Sequence, residues 1–348
     1  MKSTKKYLIS IILFVILLLL TFYLIYKNND ITSVISNLEK ISYEFILLGI
    51  FFVVTYLFTE AIYIKLILKS LSCKTSLWKC FVYSCIEFYF SAITPSSTGG
   101  QPAQAYYMHK DNIPLTKSTV TLLLNTITFK LVLMFMGIFS IIFFPNLIFN
   151  NSTLFTIIFI FGMVVNTIVI ICCLMLMYSK HWVKAISEFC INLGAKLRII
   201  KNKENKLQNF YKHLTEYQES AKYIKEHINV SIKVCLITFI QRLAMFSISF
   251  IVYKAFGLTG YSYIELVVIQ TAIAIAIDSL PLPGGIGASE AMMLLIYNKI
   301  FSQELALSAM LVTRGISYYF CLILSSIIVA INHIRVSFIN KNLEKGDV

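Results

Sequence analysis

Six ionisable side chains stand inside or beside long apolar runs: Glu87, Lys130, Arg242, Asp278, Glu290 and Arg314. Lys130 and Arg242 lie near the middle of their runs, and Arg314 is about two helical turns into the last one. A charge at bilayer depth costs roughly 2.5–3.5 kcal/mol on insertion scales, so it normally faces a cavity or a partner. Together these residues carry both signs, which suits a phosphate accompanied by a cationic or zwitterionic group. Internal pairing, for example of Asp278 with Arg314, is the alternative use of the same charges.

Unusual backbone chemistry interrupts the same runs in two places. The stretch DSLPLPGGIGASE, residues 278–290, holds Pro281 and Pro283, which donate no amide, and Gly284, Gly285 and Gly287, which permit turns closed to other residues. Within TPSSTGGQP, residues 94–102, Thr98, Gly99, Gly100 and Gln101 can build a comparable turn. Backbone that leaves helical geometry inside a bilayer is tolerated only where protein buries it or where it lines a wet cavity. A half-helix starting near Ala288 would aim its N-terminal amides, the positive end of its dipole, at the second turn and stabilise an anion there. The plainer alternative is that both motifs kink packed helices.

The elements that must hold these residues follow from composition. The 348 residues are 58% hydrophobic and 14% charged, with a mean hydropathy of +0.77. A soluble chain holds about 25% charged residues. Runs of roughly 20 apolar residues, each enough to cross a bilayer as a helix, recur from end to end. The spans expected are 7–26, 45–64, 118–144, 154–178, 234–253 and 305–331. Lys and Arg gather in cytoplasmic loops, and Lys2, Lys5 and Lys6 therefore put the N-terminus inside. Lys65, Lys69, Lys74 and Lys79, the basic linker 179–233 and the basic tail 333–345 belong to the same side, whereas the uncharged loop 144–153 belongs outside.

Two broken segments, 78–108 and 263–300, fit this topology only if each enters and leaves by one side. The first opens to the cytoplasm and the second to the exterior. The fold class expected is an all-α polytopic membrane protein of about six full spans plus two oppositely oriented broken hairpins. The whole chain, 1–348, reads as one integral membrane domain. Its linker is expected to form amphipathic helices, through stripes at Trp182, Ile186, Phe189 and Leu193 and at Leu207, Phe210, Tyr211, Leu214 and Tyr217.

Other function classes find little support. The net charge of +13 sits in the gaps between spans, so no nucleic acid is expected. The eight cysteines form no CxxC pair and lie near no histidine at ligand spacing, so neither a metal nor a disulfide framework is expected. His109, His181, His213, His227 and His333 lie in or beside basic loops without metal spacing. No G-x-S-x-G, P-loop or dinucleotide fingerprint occurs, so no catalytic residue is assigned, no cofactor is expected, and transport would be passive or gradient-driven.

The stretches SAITPSSTGGQPAQAYYMHKDNIP at 91–114 and SLPLPGGIGASEAMML at 279–294 resemble the membrane region of the lysylphosphatidylglycerol synthase/flippase family. The similarity covers nearly the whole chain. In full-length members this region moves aminoacylated phosphatidylglycerol to the outer leaflet, and a separate soluble domain transfers lysine from lysyl-tRNA. Here the chain stops at Val348, directly after the last span, and the tail HIRVSFINKNLEKGDV is too short for a transfer domain.

The resemblance implies a flippase-like protein of the cell membrane with both termini cytoplasmic. Its expected partners are membrane phospholipids, anionic or aminoacylated, with a separate synthase and a homo-oligomer as further candidates. The competing expectation is a phosphatidylglycerol lysyltransferase, alone or as the membrane subunit of a split synthase, serving cationic-peptide resistance. A membrane scaffold or small-solute transporter is the third.

Overall fold

In the computed structural model, the structure describes residues 31–94, 97–150, 152–196, 203–280, 282 and 285–346. The expected first span, 7–26, falls outside them, as do Pro281, Pro283 and Gly284. Every regular element among the described residues is helical.

Five helical rods are long and apolar enough to cross a membrane: Tyr43–Ser70 (α2), Leu115–Phe143 (α5), Thr153–Tyr178 (α7), Ile228–Ala255 (α10) and the rod Gln303–Ile334. They correspond to the five remaining expected spans. At 1.5 Å per residue, the 28 residues of α2 reach ~42 Å, more than the ~30 Å hydrocarbon core. The surplus brings Ser42 to the start of α2, where its Oγ accepts from the Glu44 amide at 3.5 Å. Thr153–Tyr178 is the most apolar of the five and the least buried, with Ile157, Phe161, Val164 and Ile168 turned outward. Apolar residues that would be core in water face lipid here.

Two helices lie where loops were expected. Ile31–Glu39 (α1) packs on Gln303–Arg314 (α13), and Asn37 Nδ2 donates to the Glu304 carbonyl at 3.4 Å. Pro145–Phe149 (α6) forms a single turn, begun by a proline whose fixed φ suits that position.

Both broken segments form helix–turn–helix pairs. Leu77–Ile93 (α3) and Gly100–Lys110 (α4) make the first, Tyr263–Asp278 (α11) and Ala288–Ile300 (α12) the second. Ser76 caps α3, its Oγ accepting from the Lys79 amide at 3.2 Å, and Ser262 caps α11 with Glu265 closing a capping box. Lys79 Nζ bonds Asp111 Oδ1 at 2.7 Å, which joins the two ends of the first pair, and Tyr107 lies 3.3 Å from His333. Lys299 Nζ reaches the Asn150 carbonyl at 3.3 Å, and Phe301 packs edge-on against Tyr253, so the end of the second pair sits with the loop after α6.

The rod Gln303–Ile334 is not a uniform α-helix. Between α13 and Cys321–Gly346 (α14), the residues Gly315–Phe320 form a π-helical turn. In the linker, Lys180–Lys196 (α8) leaves Trp182 and Phe189 exposed, as an interfacial helix would. By contrast, Lys203–Glu226 (α9) packs on α5 and buries Tyr217, Ala221 and Ile224; Tyr217 Oη donates to the Leu176 carbonyl at 2.7 Å. Part of the expected surface linker thus belongs to the helical body.

Candidate functional site

The two breaks meet. Ala92, which precedes the first turn, and Ile286, within the second, share a small buried cluster with Tyr318 of the π-helical turn. Tyr318 Oη donates to the Ala92 carbonyl at 3.3 Å. Beside this junction a cavity of about 550 Å³ opens between α2, α3, α4, α5, α10, α11, α12 and the π-helical turn. Cavities of ~300–1,000 Å³ hold drug-sized ligands, so a lipid headgroup fits the scale.

The charged lining is Glu60, Glu87, Lys130, Arg242, Asp278 and Arg314. Lys130 bonds Asp278, so the acid before the second turn is held by α5 and not by Arg314. Arg314 Nε instead donates to Glu290 Oε1 at 2.8 Å. The expected Asp278–Arg314 pairing is therefore replaced by two others. Arg314 also lies over the Tyr318 ring, 4.2 Å from its centroid. The wider π turn carries Ser317 and Tyr318, with Arg314 just before it, to the cavity wall.

Arg242 makes no ion pair among the described residues. Its guanidinium is held between aromatic rings, 4.9 Å from the Tyr56 centroid and 4.4 Å from that of Phe129. Glu87 Oε1 accepts from Ser91 Oγ at 2.9 Å, and Gln101 Nε2 donates to Thr126 Oγ1 at 2.5 Å.

Glycine serves packing at one turn and backbone conformation at the other. A Cβ on Gly100 would lie 2.1 Å from Ser91 Oγ and 2.6 Å from the Glu87 carbonyl oxygen, so α4 approaches α3 through that missing side chain. The Gly99 amide donates to Thr94 Oγ1 at 2.9 Å. In the second turn Gly285 and Gly287 have φ of +68° and +83°, which L side chains avoid. The Gly287 amide donates to Glu290 Oε2 at 2.7 Å. One carboxylate thus bridges the start of α12 to Arg314, and the anion expected near that helix end is supplied in part by the chain itself.

Of the residues singled out in the sequence, Glu87, Gln101, Lys130, Arg242, Asp278, Gly285 and Arg314 line the cavity. Thr98, Gly99, Gly100, Gly287 and Glu290 lie outside the lining, although Gly100 packs against Ser91 and Glu87 and Glu290 bonds Arg314, which belong to it. Sequence reading passes over Glu60, Asn125, Gln241 and Gln270, which also line it. Glu60 carries a legible signal, an acid within the apolar run YLFTEAIYI. The three amides do not, because an uncharged polar residue in a span is common.

Five long apolar helices, four of which line a polar, charged cavity, define a multi-pass membrane protein. Residues 7–325 match the family described as the lysylphosphatidylglycerol synthase TM region. The chain belongs to that family. No curated protein matches the chain.

Proposed function

We propose that this protein is a flippase-like transporter that carries a phospholipid headgroup between leaflets through the cavity at the meeting of the two breaks. One observation carries the reading: a headgroup-sized cavity of mixed charge lies inside a bundle whose outer face is apolar. Such a cavity lowers the cost of drawing a polar headgroup through hydrocarbon, while the acyl chains can stay in lipid. Arg242 offers a cation to the phosphate, and Glu60 and Glu87 offer carboxylates to an amine, as in lysyl-phosphatidylglycerol.

In this reading the hairpins enter from opposite faces, as in transporters whose broken helices meet near the midplane. The Lys79–Asp111 bridge and the Tyr107–His333 approach support a common cytoplasmic end for the first hairpin and the tail. The Lys299–Asn150 contact supports an external end for the second hairpin. Both termini and 179–233 are then cytoplasmic, in the cell membrane.

The test is reconstitution into liposomes holding fluorescent phosphatidylglycerol or lysyl-phosphatidylglycerol in the inner leaflet, with dithionite added outside. Protein-dependent loss of inner-leaflet fluorescence is expected, weakened by Arg242→Gln. Loss no faster than in protein-free liposomes overturns the reading. Lysyl transfer from lysyl-tRNA to phosphatidylglycerol by the purified chain would move it to the enzyme class instead.

A further inference from the structure

Counting Glu290, which lies outside the lining but pairs with Arg314, four carboxylates stand against three cations in and around the cavity. Lys130 is matched by Asp278 and Arg314 by Glu290. Arg242 is then left to face both Glu60 and Glu87. Of these two acids, Glu60 is the less satisfied. It is 3% exposed; its Oε2 accepts from Gln241 Nε2 at 3.4 Å, and its Oε1 is buried with no hydrogen-bond partner. Two amide oxygens in the same neighbourhood, Gln104 Oε1 and Gln241 Oε1, are also buried without a donor. Gln104 of α4 faces Glu60 as well. Tyr56 and Tyr63 stand on its own helix, Glu87 and Cys85 on α3, Arg242 on α10 and Cys321 on α14, while Lys130 on α5 is engaged with Asp278. The site lacks one cation, and three of its buried oxygens lack a donor; a proton on Glu60 removes the excess charge and supplies one donor.

We propose that Glu60 is the proton-coupling residue of the transport cycle, exchanging its proton for the ammonium group of the headgroup. The inference rests on the transport reading above and adds its driving force. In the empty cavity Glu60 is a neutral acid whose O–H can serve an orphan oxygen. When the ammonium group enters, the Glu60 O–H bond breaks, the proton leaves to water, and the carboxylate pairs with the ammonium. On the opposite side a proton re-forms the O–H bond as the ammonium departs. No electrons are transferred, and one proton travels against each lipid.

Protein in liposomes with clamped membrane potential is given fluorescent lysyl-phosphatidylglycerol and a pH gradient. One proton per lipid makes the steady-state leaflet ratio shift about tenfold per pH unit, which is 1.36 kcal/mol. In weak buffer, lysyl-phosphatidylglycerol micelles added to the wild-type protein should release about one proton per chain, and phosphatidylglycerol micelles none. Glu60→Gln should abolish both the gradient response and the proton release. The wild-type release assay stands even if that variant misfolds. Protein-dependent movement whose leaflet ratio ignores pH, or follows a sodium gradient instead, overturns the coupling and leaves the transport reading intact. Gradient-driven accumulation by Glu60→Gln overturns the residue assignment. No protein-dependent movement at all removes the transport reading and this proposal with it.

Discussion

Replacing Glu290 with alanine should be among the most damaging single changes to this protein. Glu290 is 3% exposed, and each carboxylate oxygen holds a different partner: Arg314 Nε at 2.8 Å and the Gly287 amide at 2.7 Å. Removal leaves Arg314 as a buried charge without its counter-ion, which costs about 3–5 kcal/mol. The Gly287 amide also loses its acceptor, worth about 1–3 kcal/mol if no water replaces it. The two losses share one network and do not simply add. The Tyr318 ring under Arg314 survives and softens the first of them. A net loss of about 3–5 kcal/mol is therefore expected, a large share of an ordinary stability of about 5–15 kcal/mol.

The assay is detergent-driven unfolding in mixed micelles, followed by far-UV circular dichroism. It would compare wild type, Glu290→Ala, Arg314→Met and the double variant. Taking away both partners should cost clearly less than the sum of the single changes, with a coupling of about 2 kcal/mol or more. A Glu290→Ala protein within about 1 kcal/mol of wild type, or strict additivity, would refute the pairing argument.

Three further outcomes are expected. A Cβ on Gly162 would lie 2.2 Å from the Ile275 carbonyl oxygen, whereas one on Gly137 would meet the flexible Ile275 Cδ1 at 2.5 Å, so thermal denaturation in detergent should find Gly162→Ala less stable than Gly137→Ala. Gly285→Val combines a φ of +68° with a Cβ 2.6 Å from Ile277 Cγ2, and should impair lipid movement in the liposome assay more than it lowers protein abundance; normal transport would return the turn to a packing role. In a background without native cysteines, Asn150→Cys should be labelled by an impermeant reagent from outside and Lys222→Cys only after permeabilisation; the reverse pattern would invert the topology.

The sequence by itself determined what depends on one-dimensional averages. Apolar runs of bilayer length give the spans, because hydrogen-bonding needs inside lipid leave a helix as the ready solution. Pro and Gly clusters mark where helical geometry stops, and caps such as Ser76 and Ser262 mark where it resumes. The glycines at 99–100 and 285–287 were legible as special positions for the same reason. Their different uses, a close helix approach at Gly100 and positive φ at Gly285 and Gly287, were not.

Only the tertiary structure decided which charges meet. Asp278 and Arg314 were both visible as intramembrane charges, yet α5 brings Lys130 to the first, and α12 brings Glu290 to the second. Ion pairing depends on a few ångströms of separation between helices distant in the chain, and no local pattern encodes that distance. The same dependence governs Glu60, whose place in an apolar run is legible but whose surroundings are not. Five residues before Lys65, it resembles an acid near a span's end that finds water or a lysine. Packing of α2 against α3 and α10 instead seals it in the interior beside Glu87, Gln241 and Arg242. Burial sets the cost of a charge, and burial belongs to the assembled helices rather than to any one of them.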